Sequence, residues 1–164
     1  PVPDVAGLRP TPDRVRETLF NWLQPVITGA CCLDLYAGTG ILGLEAVSRG
    51  AAEAILVEQD PSLLAQIRRS IELLDTGELV RVEQAEALAW LRHNQTRFDL
   101  VFLDPPFGQG LIEKSANLLK ERDCLQPYAM IYMESEPELQ VPDGFRVHRQ
   151  SKAGKVKFML VELL

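Results

Sequence analysis

Four consecutive residues could hold a planar amine in place: Asp104-Pro105-Pro106-Phe107. Pro105 favours an extended backbone at Asp104, and the two prolines stiffen the turn without offering N–H donors. The Asp104 carboxylate and the Pro105 carbonyl then form a rigid pair of acceptors for the two hydrogens of an exocyclic amine. Such a pair favours a pyramidal nitrogen with an available lone pair. Phe107 could stack on the ring that carries the amine.

Glycines and carboxylates earlier in the chain form a second set of candidate functional residues. Gly38, Gly40 and Gly43 satisfy the G-x-G-x-x-G pattern of nucleotide-binding turns. Glu58 ends the next predicted strand, where a carboxylate commonly binds ribose hydroxyls. These features fit an NAD enzyme and an S-adenosylmethionine enzyme alike. Asp34 favours the second, because its charge would attract the amino end of a methionine and repel a pyrophosphate.

A weaker indication lies at the end of the third predicted strand, where an adenine ring would rest in such a fold. Glu86 could accept a hydrogen bond from the exocyclic amine, and the Ala87 N–H could donate to the ring. An acidic residue that begins a helix is also favoured by the helix dipole alone. Both interpretations of Glu86 therefore stay open.

The elements that position these residues alternate between strands and helices. Thr11 is predicted as the N-cap of a first helix with Pro12 at its first position, and an apolar stripe of Val15, Leu19, Leu23 and Val26 extends that helix to about residue 27. Further helices are predicted from the glycine turn to residue 49 and over 61–74, 86–93 and 111–122. Apolar runs predict strands over 30–36, 54–58, 79–83, 98–103, 129–134, 145–150 and 156–163, the last two joined around Lys152-Ala153-Gly154.

This alternation predicts an α/β fold with a mostly parallel sheet, helices on both faces and a last strand that is antiparallel. We expect residues 11–164 to form a single domain and residues 1–10 to be a tail trimmed from a longer protein, since the chain does not begin with Met. No apolar run is long enough to span a membrane. The three cysteines predict buried thiols in a reducing cytoplasm rather than disulfides or a metal site.

The net charge of −6 does not itself indicate a nucleic-acid partner, but the charge is unevenly distributed. No acidic residue occurs over 144–161, a segment whose cations are Arg146, Arg149, Lys152, Lys155 and Lys157. A second basic cluster near the start comprises Arg9, Arg14 and Arg16. Either cluster could be a solvated loop, so a role in binding needs support from other features.

The glycine turn with its carboxylates and the segment 104–107 together resemble motifs of the class I S-adenosylmethionine-dependent methyltransferases that modify amines. The opening segment, Arg9-Pro10-Thr11-Pro12-Asp13-Arg14-Val15-Arg16-Glu17-Thr18-Leu19-Phe20-Asn21-Trp22-Leu23, resembles one family in particular. That family is the RsmD-type 16S rRNA (guanine-N2)-methyltransferases of bacteria, and the resemblance extends along the whole chain. The chain departs from the family at Glu86, where Asp or Asn is more usual.

The resemblance implies a Rossmann-like fold with a seven-stranded sheet and methyl transfer from S-adenosylmethionine to the N2 of a guanine in 16S rRNA. Asp104, Pro105 and Phe107 would be catalytic. The implied cofactor-binding residues are Asp34, Gly38, Thr39, Gly40, Glu58, Glu86 and Ala87, and the implied RNA-binding residues are Arg9, Arg14, Lys152, Lys155 and Lys157. No metal is implied, because a sulfonium is already an activated electrophile. We expect a monomer that acts in the cytoplasm on rRNA or on a small-subunit particle.

Two other functions remain open from the sequence. The first is adenine-N6 methylation of DNA, which uses the same cofactor and the same pair of acceptors, although the chain shows no separate target-recognition domain. The second is an RNA-binding module without activity on the same fold, which an intact Asp104–Phe107 segment disfavours.

Overall fold

A computed structural model describes residues 12–135 and 140–164 of the chain. Over these ranges five helices and seven strands follow one another. The helices are α1 (Asp13–Leu23), α2 (Ile41–Ser48), α3 (Pro61–Leu74), α4 (Ala87–His93) and α5 (Leu111–Glu121). The strands are β1 (Cys31–Asp34), β2 (Glu53–Glu58), β3 (Val80–Gln84), β4 (Phe98–Leu103), β5 (Leu125–Ser135), β6 (Phe145–Ala153) and β7 (Val156–Leu163).

All seven strands lie in one sheet, in the order β3-β2-β1-β4-β5-β7-β6. The first five strands pair in parallel, whereas β7 is antiparallel to both β5 and β6. The central strands are short apolar runs, as expected for strands that helices cover on both faces. The structure thus confirms the predicted α/β fold with a mostly parallel sheet and an antiparallel last strand.

Each face of the sheet has its own hydrophobic core. On one face, α1, α2 and α3 pack against β-strand side chains that include Cys32, Leu56 and Phe102. On the other face, α4 and α5 pack against Leu33 and Val101 among others. Since neighbouring residues of a strand point to opposite faces, β1 and β4 contribute to both cores and are buried on both sides.

The strand order reverses between β1 and β4, which are hydrogen-bonded neighbours although β2 and β3 separate them in sequence. In open α/β sheets, ligands bind at such a switch point, beyond the carboxyl ends of the strands. The glycine turn and the segment 104–107 both follow strands that form this switch point, because Asp34 ends β1 and Asp104 directly follows β4. The fold therefore brings the two groups to one edge of the sheet.

The first helix differs from the prediction. Pro12 is the N-cap of α1 and not its first helical residue, and Thr11 lies outside the described residues. Helix α1 ends at Leu23, and Val26 is 46% exposed, so it is not part of the buried stripe. The stripe is completed instead by Phe20, which is fully buried and contacts the Phe102 ring at a centroid distance of 6.1 Å.

Two strands are longer than predicted. β5 begins at Leu125, four residues before the apolar run starts, and β6 continues to Ala153. The turn between β6 and β7 consists of Gly154 and Lys155, with Ala153 paired to Val156. Gly154 has φ +61°, a conformation that favours glycine.

The three cysteines are free thiols. Cys32 and Cys124 are buried as predicted, whereas Cys31 is half-buried and its Sγ donates to Glu53 Oε1 at 3.2 Å. Burial raises the pKa of both Cys31 and Cys32 to about 12, so both stay protonated and unreactive near neutral pH. Among the described residues, no helix has the length and apolar character needed to cross a bilayer.

Candidate active site

The loop after β1 depends on glycine for its shape. Gly38 has φ +60°, and Gly40, the N-cap of α2, has φ +80°. A Cβ on Gly43 would lie 2.6 Å from Leu56 Cδ1, so α2 packs directly against β2 only because that position has no side chain. The glycine pattern therefore fixes both the turn and the close approach of helix to strand.

Glu58 connects the end of β2 to this loop. Its Oε1 accepts a hydrogen bond from the Gly38 N–H at 2.9 Å, and its Oε2 accepts from the N–H groups of Gln59 and Asp60, each at 2.9 Å. The side chain is half-buried, and Oε1 retains a lone pair for a hydroxyl donor. Glu58 can therefore hold the loop in place and still bind a ribose.

Asp34 lies beneath the loop and is only 2% exposed. Its Oδ2 accepts from the Gly43 N–H at 3.0 Å, which ties β1 to the first turn of α2. Burial raises the pKa of Asp34 to about 7, the nearby charge of Glu58 acts in the same direction, and the hydrogen bond from Gly43 opposes them. A cation bound close to Asp34 would favour the ionised carboxylate.

Glu86 is the N-cap of α4. Its carboxylate accepts from the N–H groups of Leu88 at 2.6 Å and Ala89 at 3.3 Å, and Ala87 is buried behind it. The helix-capping interpretation of Glu86 is therefore correct. The Ala85 N–H donates to the Glu58 carbonyl at 3.1 Å, so the end of β3 lies beside Glu58. A contact of Glu86 or Ala87 with adenine stays a prediction.

The segment 104–107 leaves β4 at the switch point. Immediately before it, the Phe102 carbonyl accepts from the Leu35 N–H at 3.3 Å, which holds this end of β4 against the β1 loop. Pro105 is buried, while Asp104 and Phe107 are half-buried and so can contact a ligand. The turn then continues through two positive-φ glycines, Gly108 and Gly110, into α5.

Two polar pairs at this edge have no signal in the sequence. The Tyr36 and Ser115 hydroxyls are 2.8 Å apart and join the β1 loop to α5. Burial raises the pKa of Tyr36, so its hydroxyl stays protonated. On β5, the buried Tyr132 Oη donates to the buried Glu134 carboxylate at 2.6 Å. The first pair is separated by 79 residues, and only the folded chain brings it together.

The predicted RNA-binding residues differ in their exposure and in whether the structure describes them. Arg9 lies outside the described residues. Arg14 is exposed on α1, whereas its neighbour Arg16 is paired with Glu45 at 2.9 Å. Lys152, Lys155 and Lys157 belong to the β6–β7 hairpin, where the first two are exposed and Lys157 is half-buried.

The hairpin turn lies at the same edge of the sheet as the switch point. Met133 of β5 pairs with Leu103 of β4, so the next two residues of β5 extend beyond the end of β4. Ser135 pairs with Lys157, which in turn pairs with Lys152. The lysines thus lie at the same edge of the sheet as the glycine turn and the segment 104–107.

Comparison with known proteins places these features in a family. The family described as Conserved hypothetical protein 95 matches residues 1–162. The chain is 48% identical to the ribosomal RNA small subunit methyltransferase D of Escherichia coli strain K12, an alignment that covers 99% of this chain and 83% of that protein. Identity to the protein of the same name from Haemophilus influenzae is 41%, over 99% of this chain and 86% of the relative.

Solved structures agree with this placement. The Escherichia coli protein yhhF, provisionally described as a methyltransferase, superposes with a TM-score of 0.88 at 48% identity, covering 99% of this chain and 90% of that one. An RNA methyltransferase of Salinibacter ruber, solved in complex with S-adenosyl-L-homocysteine, superposes with a TM-score of 0.72 over 93% of this chain and 92% of its own. At 18% identity, the second likeness shows the fold alone.

Proposed function

Because the chain belongs to the Conserved hypothetical protein 95 family, that of the ribosomal RNA small subunit methyltransferases D, we propose that it methylates a guanine of 16S rRNA. The donor is S-adenosylmethionine and the acceptor is the exocyclic N2 of the base. We place the reaction in the bacterial cytoplasm, with the chain acting as a monomer.

The observation that carries this proposal is the position of Asp34 and Asp104 at the carboxyl ends of the two adjacent strands of the switch point. One strand ends in a glycine loop supported by Glu58, and the other ends in a rigid pair of acceptors. A cofactor over the first strand and an amine at the second would lie side by side. Methyl transfer to nitrogen requires this juxtaposition, because donor carbon and acceptor nitrogen must meet in line.

The residues that would hold the cofactor suit its chemistry. Glu58 can accept from ribose hydroxyls, Gly38, Thr39 and Gly40 bring the backbone close to the ligand, and Asp34 supplies negative charge beneath the loop. On the adenine side we propose contacts from Glu86 and the Ala87 N–H. S-adenosylmethionine supplies the methyl group, already activated on a sulfonium.

At the acceptor end, the Asp104 carboxylate and the Pro105 carbonyl would each accept one N–H of the guanine amine. These bonds strengthen as the nitrogen becomes pyramidal and its lone pair turns towards the methyl group. Phe107 would stack on the base after it leaves the RNA helix, a contact worth about 1–3 kcal/mol. The proton that the nitrogen loses after transfer would pass to the Asp104 carboxylate with which it is in contact.

RNA phosphates would be bound by cations on the rim of this edge. The β6–β7 hairpin carries Lys152, Lys155 and Lys157 beyond the end of β4, within a segment that contains no acidic residue. Arg14 is exposed on α1, and Arg9 would extend that cluster. Phosphate contacts of this kind supply affinity and orientation, while the acceptor pair selects the amine.

The direct test is product analysis. The protein is incubated with labelled S-adenosylmethionine and, separately, with unmodified 16S rRNA, small-subunit particles and DNA, and the nucleosides of each polymer are then separated. We expect label in N2-methylguanosine from rRNA or particles and none in DNA. Label in N6-methyladenosine from DNA would overturn the proposal, as would RNA binding without any transfer.

A further inference from the structure

Tyr36 lies between the two halves of the site and has no role in the chemistry described above. It is the second residue after β1 and directly precedes the glycine loop. Its ring packs against the core beneath α4 and α5, and its hydroxyl is 2.8 Å from Ser115 Oγ in α5. Ser115 is completely buried. One hydrogen bond thus connects the loop between β1 and α2 (residues 35–40, the cofactor loop) to α5, the helix that follows residues 104–107 (the acceptor segment).

The two segments joined by this bond differ in how they are held. On the cofactor side, the Ala37 N–H donates to the Val57 carbonyl at 3.0 Å, and the Gly38 N–H donates to Glu58. The loop that carries Tyr36 is therefore fixed to β2 at two consecutive residues.

The acceptor segment is held by the sheet where it leaves β4, but the turn that leads from it into α5 is less constrained. Gly108 and Gly110 both have positive φ, and a Cβ at either glycine would meet no atom within 4 Å. The position of this turn therefore depends on how α5 packs against the sheet. Ser115 lies on the buried face of α5, together with Ala116 and Leu119.

We infer that the Tyr36–Ser115 hydrogen bond sets the position of the acceptor segment relative to the cofactor loop, which makes Tyr36 a positioning residue for methyl transfer. The inference rests on the proposed methyl transfer at this edge. Small displacements between donor and acceptor lower rates steeply. Cofactor binding depends instead on the loop and on Glu58, and the hydrogen bonds that hold this loop to β2 do not involve Tyr36. Loss of either hydroxyl should therefore reduce the rate and leave cofactor affinity unchanged.

The experiment is a double-mutant cycle on the rate, using Tyr36→Phe, Ser115→Ala and the double variant. Single-turnover methylation is measured with saturating S-adenosylmethionine and the RNA that the wild-type protein methylates, and cofactor affinity is measured by calorimetry. Each single variant should be slower by roughly tenfold with a cofactor Kd within about twofold of wild type. The double variant should be no slower than the slower single one, because both remove the same bond.

Tyr128→Phe is the matched control, since Tyr128 is 91% exposed and should keep the wild-type rate. Single variants at the wild-type rate, or a double variant that is slower by the product of both effects, would overturn the inference. Lower melting temperatures without a change in rate would show a purely structural bond and would overturn it too. Wild-type label in a nucleoside other than N2-methylguanosine would refute the guanine assignment alone, while the cycle would still report on Tyr36.

Discussion

Glu58 holds the loop after β1 through its carboxylate and is also the proposed acceptor for the cofactor ribose. Three backbone N–H groups donate to its carboxylate, and one of them belongs to Gly38 in the cofactor loop. Removing the carboxylate would therefore remove a proposed ribose acceptor and release the loop together. Sequence reasoning predicted the ribose role from the position of Glu58 at a strand end. It could not predict the bond to Gly38, which depends on the path of the loop.

We expect Glu58→Ala to weaken S-adenosylmethionine binding by about 1.5–3 kcal/mol, the usual loss for hydrogen bonds to a charged group. Calorimetry with the cofactor or with S-adenosylhomocysteine measures the change. Glu53→Ala is the control, because Glu53 begins the same strand and lies at its opposite, exposed end. An unchanged affinity in Glu58→Ala would remove Glu58 from the cofactor site.

The raised pKa of Asp34 predicts that cofactor binding depends on pH. Its pKa of about 7 lies above its ordinary value of 3.8, so the folded protein holds a proton that the unfolded chain has lost. The contribution of this group to the free energy of unfolding is therefore full below pH 3.8 and is lost as the pH rises through about 7. A cationic amino group beside Asp34 favours the ionised form, so binding should expel this proton.

Cofactor affinity should consequently increase as the pH rises towards 7, with proton release at about pH 6. Calorimetry in two buffers of different ionisation enthalpy measures the protons released. Asp34→Asn should abolish both the release and the pH dependence. Equal proton release by wild type and Asp34→Asn would show that the carboxyl does not sense the cofactor.

At the scale of elements, apolar patterns predicted most strands and helices well, since buried strands and amphipathic helices have distinct periods. The bounds of α3, β4 and β7 agree with the prediction at both ends. The patterns failed where burial is incomplete or tertiary contacts decide. β6 is exposed along seven consecutive residues, and its extension beyond residue 150 comes from pairing with β7 and has no apolar signal.

The packing of α2 on β2 gives a prediction for Gly43. An alanine there would favour the helix by up to about 1 kcal/mol, but its Cβ would lie 2.6 Å from Leu56 Cδ1 and 3.3 Å from Asp34 Cβ. Leu56 is fully buried, so a shift of its side chain would disturb the closely packed core around it. We expect Gly43→Ala to lower the free energy of unfolding by about 1–3 kcal/mol in denaturant titrations. Ser48→Ala, at an exposed position of the same helix, should have little effect, and equal stability of the two variants would contradict this packing argument.

The β6–β7 hairpin gives a prediction about salt. Lys152→Ala combined with Lys155→Ala should weaken RNA binding and reduce the slope of log affinity against log salt by about 0.7 for each lost phosphate contact. Cofactor affinity should not change. The control removes the same charge from α3, with exposed Arg68 and Arg69 both changed to Ala. A salt slope that responds equally to both pairs of substitutions would show general attraction without a hairpin contact.

At the scale of the whole molecule, the order of the strands creates the site. Asp34 and Asp104 are distant in sequence, and only the reversal of strand order between β1 and β4 makes them neighbours. The family resemblance predicted the number of strands and the antiparallel last strand, but neither it nor the residue pattern gave the strand order, because periodicity does not specify which strands pair. The same limit applies to Tyr36 and Ser115, whose contact depends on where α5 docks.

The central claim is that cofactor and amine lie side by side at this switch point, the cofactor over the end of β1 and the amine at the end of β4, with Asp104 acting on the amine alone. Asp104→Asn tests it most directly, in single-turnover methylation with saturating RNA and S-adenosylmethionine. The amide keeps the shape of the carboxylate but directs a donor at an N–H, so we predict a rate lower by roughly 10²-fold or more. RNA and cofactor affinities should stay close to wild type, as should the rate of Asp99→Asn at the opposite end of β4. A near wild-type rate for Asp104→Asn would contradict the claim and make the segment a structural turn.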